Sequence, residues 1–110
     1  MKKSKYHAIK TVVDGITFDS KGESARYCEL KMLMKSGDIQ NLHLQVKYAL
    51  VPSVVINGRK KPTVRYIADF VYEMHGKVIV EDFKGRITPV YALKRHLMKH
   101  VHNIDIFESH

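Results

Sequence analysis

The chain has 110 residues, with 19 Lys+Arg against 11 Asp+Glu and a formal net charge of +8. That length fits one domain and excludes a multidomain enzyme, while a hydrophobic fraction of 45% supplies one core and excludes a disordered tail. So positive a field attracts polyanions, and nucleic acid is the partner it favours over an acidic protein.

Residues 1–7 read as a loose basic N-terminus and residues 8–110 as a single domain. No apolar segment follows the basic start, and no run reaches the roughly 18 residues of a membrane span, so no membrane association is expected. The dipeptide Asp14-Gly15 predicts a hairpin between two short extended pieces within residues 8–19. Ser20 opens a helix from about Lys21 to Ser36, which Gly37 closes. Glu23, Tyr27, Leu30 and Met34 form its core-facing stripe. The lone cysteine, Cys28, excludes an internal disulfide and reads as packing on the helix flank with Ala25 and Met32.

Leu42, Leu44, Val46, Tyr48 and Leu50 alternate with His43, Gln45, Lys47 and Ala49, which predicts a strand with one buried face, ended by Pro52. Asn57-Gly58 predicts a second hairpin between Val54-Val55-Ile56 and Arg59-Lys60-Lys61. A strand follows from Val64 to Met74, with Val64, Tyr66, Ala68, Phe70, Tyr72 and Met74 on one face. Val78-Ile79-Val80 is apolar on both faces, as a central strand is. Thr88 and Pro89 start a second helix reaching about Val101, with an apolar stripe of Val90, Leu93, Leu97 and Val101. Ile104-Asp105-Ile106-Phe107 forms a last short strand. The expected fold is α/β (α+β): a mixed β-sheet flanked by helices in α-β-β-β-α-β order. The tyrosines alternate mainly with core positions and make no base-stacking platform.

The most informative stretch joins the two strands around His75-Gly76. If that dipeptide is the turn, Asp69 sits across from Asp82, with Cβ atoms about 4.5–5.5 Å apart, and Lys84 leaves the same face. Like charges so placed need compensation. A divalent cation such as Mg²⁺ is one remedy; an Asp82–Lys84 pair at a solvated strand end is the other. Glu23, at the head of the first helix's core stripe, adds a third acid. It fits a capping box with Ser20 and equally a place in the acid cluster. Lys94 projects close to the second helix's apolar stripe, where it snorkels outward or reaches a phosphate beside the acids. The basic clusters Arg59-Lys60-Lys61 and Lys94, Arg95 and Lys99 are the candidate nucleic-acid contacts. His96 and His100 stand one helical turn apart, with His102 following. Lacking a Cys or carboxylate at matching spacing, they read as solvated surface instead of a zinc site.

Taken in order, Asp69 and then Asp82-Phe83-Lys84 resemble the bipartite signature of the PD-(D/E)XK nuclease superfamily, with Glu23 as the helix-borne acid. Phe18-Asp19-Ser20-Lys21-Gly22-Glu23, Leu44-Gln45, Tyr66-Ile67-Ala68-Asp69-Phe70, Val80-Glu81-Asp82-Phe83-Lys84-Gly85 and Tyr91-x-x-Lys94 are similar to small phage-encoded endonuclease-like proteins of the Holliday-junction-resolvase kind. The likeness spans about residues 14–107, and Ala68 stands where the eponymous motif has proline. It implies a restriction-endonuclease-like core and Mg²⁺-dependent hydrolysis of DNA phosphodiesters, with Mn²⁺ as a substitute. Branched or structured DNA in phage replication or recombination, within the host cytoplasm, is the implied setting. By the same resemblance Asp69, Asp82 and the Phe83 carbonyl hold the metal, and Glu23 binds a second metal or its water shell. Lys84 orients the attacking water, with Gln45 and Lys94 as helpers on the phosphate side. Symmetric cutting of two strands would call for a homodimer. The rival readings are a non-catalytic nucleic-acid-binding domain that keeps the nuclease fold, and a basic structural protein with salt-bridged acids.

Overall fold

A computed structural model describes residues 9–110; the expectation of a loose N-terminus at residues 1–7 lies outside the described residues. A first hairpin joins β1 (Thr11–Val13) and β2 (Ile16–Phe18). Asp14 and Gly15 both hold the positive φ that a tight turn requires. Helix α1 spans Lys21–Lys35, capped by the Ser20 hydroxyl, which accepts the Glu23 N–H at 3.1 Å. Strand β3 (Gln40–Val51) follows. A second hairpin of β4 (Val54–Ile56) and β5 (Arg59–Lys61) precedes β6 (Val64–Met74) and β7 (Lys77–Phe83). Helix α2 (Pro89–His102) and β8 (Phe107–Ser109) complete the chain.

Leaving the two hairpins aside, the order is α-β-β-β-α-β, as expected. The main sheet is mixed, in the order β3-β6-β7-β8, with β8 parallel to β7 and the other neighbours antiparallel. Strand β7 is therefore central. Adjacent residues of a strand point to opposite faces, so the partition of the core places the helices. Phe70, Tyr72 and Ile79 pack with Tyr27 and Leu30 of α1. Val71 and Val80 pack with Tyr91 and Met98 of α2. The two helices cover opposite faces of the sheet.

One irregularity shapes the middle of the sheet. On β3, Leu42 and Leu44 belong to the core under α1, whereas Tyr48 and Leu50, of the same parity, belong to the core under α2. On β6, Phe70 and Tyr72 divide from Tyr66 and Ala68 in the same way. The buried parity changes sides between these groups, where Gln45 adopts a left-handed φ of 53°. Leu44↔Phe70 and Val46↔Ala68 are paired, so Gln45 lies across from Asp69. Thus the expected single buried face on each of these strands is really two half-faces.

Three further expectations need correction. The buried stripe of α2 is Tyr91 and Met98, flanked by half-buried Lys94 and Leu97, while Val90 (64%), Leu93 (61%) and Val101 (45%) are exposed. The helix is rolled so that Tyr91 can bond Glu108 of β8. The last strand begins three residues later than expected. Asn103, at φ 56°, ends α2, and the Ile104 N–H bonds back to the Met98 carbonyl, so Ile104 and Ile106 pack beneath α2 as irregular chain. Cys28 is exposed with Ala25 and Met32, so its packing role is withdrawn.

Candidate active site

The turn between β6 and β7 is His75-Gly76, both with positive φ. Its register runs from Met74↔Lys77 to Phe70↔Glu81, and one further step sets Asp69 against Asp82. The ladder stops there because the Asp69 carboxylate takes the place of a backbone acceptor: its Oδ2 accepts the Phe83 N–H at 2.9 Å. Asp82 is buried, at 4% exposure. Lys84 leaves the same face, and its Nζ reaches Asp82 Oδ2 at 2.7 Å. The Asp82–Lys84 pair expected as the alternative to a cation therefore forms, though largely out of water and not at a solvated strand end.

Among the described residues, Asp82 Oδ2 nevertheless receives no well-aligned hydrogen bond, the ammonium at 2.7 Å included. The Tyr66 hydroxyl, also buried, has no well-aligned hydrogen-bond partner among the described residues and lies where Asp82 and Asp69 both act on it. Burial above all, then those charges, pushes Tyr66 far above the ordinary tyrosine range. Asp69 shows the same stress. Burial, then the hydrogen bond and charge of Asp82, then Glu23, push Asp69 up to about 8, against the opposing Phe83 N–H. Burial and a facing carboxylate both disfavour the charged form of Asp69.

Lys84 is fixed from three directions. Its Nζ lies 3.8 Å above the centre of the Tyr91 ring, its N–H donates to the Ser109 carbonyl at 2.8 Å, and His110 Nδ1 lies 3.1 Å from its carbonyl. Tyr91 is in turn held by its O–H to Glu108 at 2.6 Å. The C-terminal strand thus clamps the lysine's backbone while α2 supplies the aromatic floor beneath its side chain.

Glu23 arrives from the first turn of α1. Burial, then Asp19 and Asp82, raise its pKa, opposed by a backbone hydrogen bond from Asp19 and by Lys84. The Ser20 half of the expected capping box forms, its hydroxyl accepting the Glu23 N–H at 3.1 Å. Gly22 allows the approach. A Cβ there would meet the Phe83 ring at 2.5 Å, so only glycine lets the helix start so close to β7.

An open cleft of about 850 Å³ gathers these groups. Glu23, Gln45, Asp69, Asp82, Phe83, Lys84 and Lys94 all line it, and Asp19 and Tyr66 join them. Lys94 thus faces the acids instead of snorkelling away. Among the expected nucleic-acid contacts, Arg95 bonds Glu108 and Lys99 bonds Asp105, each at 2.9 Å, so both are ion-paired outside the cleft. Arg59, Lys60 and Lys61 are exposed on β5, in a hairpin away from the cleft. Of the histidines weighed for metal, His96 and His100 are exposed, and His102 Nε2 lies 2.7 Å from the Ala49 carbonyl.

Sequence reasoning missed Glu81. It is fully buried on the α1 face, where Arg26 donates to both its oxygens at 2.6 and 3.0 Å. The Tyr72 and Ser109 hydroxyls complete the set at 2.6 and 2.7 Å. Burial alone would raise its pKa, but these bonds outweigh it and hold the carboxyl below the ordinary range. The readable signal was the adjacency Glu81-Asp82 in a central strand, which puts one acid on each face.

The family model described as "Protein of unknown function (DUF1064)" matches residues 3–107. The chain belongs to the DUF1064 family. No curated protein and no solved structure matches it. Among the described residues, no helix is long and apolar enough to cross a membrane. DUF1064 membership sets the family but no chemistry, so the cleft itself carries the functional reading.

Proposed function

We infer that this chain is a Mg²⁺-dependent endonuclease that hydrolyses phosphodiester bonds in DNA, acting on branched or structured DNA during phage growth in a bacterial cytoplasm. The observation that carries the reading is the meeting of Asp69, Asp82 and Lys84 in one cleft, with Asp82 buried and its Oδ2 2.7 Å from the Lys84 ammonium. The α-β-β-β-α-β order is compatible with a restriction-endonuclease-like core.

The donor set suits a hard cation. Two facing carboxylates and the Phe83 carbonyl are oxygen ligands of the kind Mg²⁺ prefers, and such an ion keeps several waters for phosphate chemistry. Among the described residues, no three His, Cys, Asp or Glu side chains are grouped as a metal site. By the donor chemistry alone, Asp69 and Asp82 would hold the ion with Phe83, and Glu23 would act on its water shell from the helix start. When bound, the ion supplies a Lewis acid that acidifies water and neutralises charge building on the phosphate. Lys84, packed on Tyr91, places a positive charge where the transition state gains negative charge. Lys94 from α2 and Gln45 from β3 are available to orient a phosphate and its neighbour.

The test is cleavage of branched, nicked and linear DNA by purified protein with Mg²⁺ or Mn²⁺. Cutting is expected with either ion, lost in EDTA, and abolished by Asp82→Ala while DNA binding persists. Cutting that survives EDTA or Asp82→Ala removes the reading.

A further inference from the structure

Among the described residues, the β4–β5 hairpin has no folding partner: it forms its own two-stranded sheet and packs against no other element. Every residue of both strands is exposed, the apolar Val54 (46%), Val55 (69%) and Ile56 (50%) included. Yet it is no stray loop. Val51 pairs with Val64, and the same register continues in Val54↔Lys61. The hairpin is the β3–β6 ribbon prolonged past a joint in which Pro52 and Pro62 each remove a backbone donor. Residues 52–57 run outward over about 20 Å, at about 3.3 Å per residue. The molecule is extended accordingly: its radius of gyration is 16.0 Å, against about 13 Å for a compact chain of this length.

We propose that this ribbon is a DNA-reading arm that enters the major groove of a duplex, setting Val54 and Ile56, which share one face of the strand, against thymine methyl groups and Arg59, Lys60 and Lys61 against phosphates. The major groove admits a two-stranded ribbon. One strand is wholly apolar and the other wholly cationic, and three adjacent positive charges repel a second copy of the same arm while matching a polyanion. Apolar side chains wet on both faces give the fold nothing, but they suit the C5-methyl groups on the groove floor. The arm rests on the reading of DNA as partner given above. Hydrolysis plays no part in it.

The experiment measures duplex binding in EDTA by fluorescence anisotropy, across salt, for thymine-containing and uracil-substituted duplexes of one sequence. The parent should bind the uracil duplex several-fold more weakly. Replacing Arg59, Lys60 and Lys61 by Ala should weaken binding at least tenfold and flatten the salt slope by roughly 2–3, at about 0.9 for each phosphate left unneutralised. Val54→Ser with Val55→Ser and Ile56→Ser should keep the salt slope and erase the thymine preference. Both variants should melt like the parent, since the arm packs on no other element among the described residues. Unchanged affinity in both variants, or arm-dependent capture by phosphatidylserine vesicles with DNA binding unaffected, overturns the proposal. If the arm variants bind normally while Mg²⁺-dependent cleavage stands, the arm alone is wrong. Arm-dependent binding without any cleavage supports the arm and removes the nuclease reading instead.

Discussion

Asp69→Asn tests the electrostatic stress in the cleft without any assumption about catalysis. Asparagine keeps the size of the side chain and an oxygen to accept the Phe83 N–H, and removes only the charge facing Asp82. In the folded protein the Asp69 carboxyl is pushed from 3.8 up to about 8. The fold therefore binds that proton more tightly than the unfolded chain does. The stability it contributes is complete below about 3.8 and is lost as pH rises through about 8. At about 1.4 kcal/mol per pH unit, the cost of the charged form at pH 8 has an upper bound on the order of 6 kcal/mol. The cleft is open to water and Lys84 lies close by, so about 2 kcal/mol is the expected remainder. Urea unfolding in EDTA should show Asp69→Asn more stable than the parent by about that amount at pH 8 and level with it near pH 4. A destabilised variant at pH 8, or a gain independent of pH, refutes the reasoning.

The remaining predictions concern the supports of the site. Glu81→Gln leaves the Arg26 guanidinium without its carboxylate and should cost about 3–5 kcal/mol near neutral pH. Because the folded pKa of Glu81 is depressed, the parent loses this contribution as pH falls through that value, so the gap between parent and variant should shrink in acid urea melts. A gap that widens in acid contradicts the assignment. Gly22→Ala drives a Cβ into the Phe83 ring and should cost about 1–3 kcal/mol, with a larger loss of cleavage than of stability as Glu23 shifts. Wild-type cleavage rates in that variant would show that the close approach of α1 to β7 is dispensable.

The parts of the fold written in local chemistry were legible. Asp14-Gly15, Asn57-Gly58 and His75-Gly76 each name a turn with two positive φ angles, and each turn forms. The last of them carries the register that brings Asp69 and Asp82 together, so the core of the site followed from one dipeptide. What was illegible depends on tertiary partners. The apolar row Val90, Leu93 and Val101 reads as the inner face of α2, but Tyr91 turns the helix because its hydroxyl has Glu108 and its ring has Lys84. Lys94 comes to the cleft by the same rotation. Gln45 gives no hint of a left-handed conformation, since glutamine has no special ease there; the crossing of the two half-faces at Asp69 was hidden with it. Glu81 is masked by the apolar Val78-Ile79-Val80 run beside it, and the arginine that explains it lies 55 residues away in the chain.

The adjacent acids of β7 also guard the strand's alignment. Glu81 is matched to a two-pronged cation on one side of the sheet, and Asp82 to a lysine on the other. Sliding β7 by a single residue would exchange sides for every group it carries. Arg26 would then confront valine or a carboxylate too short for its reach, and the longer acid would crowd the opening opposite. Misaligned chains are thereby penalised on two faces at once, so the ion pairs that line the two sides of β7 double as a proofreading device during folding.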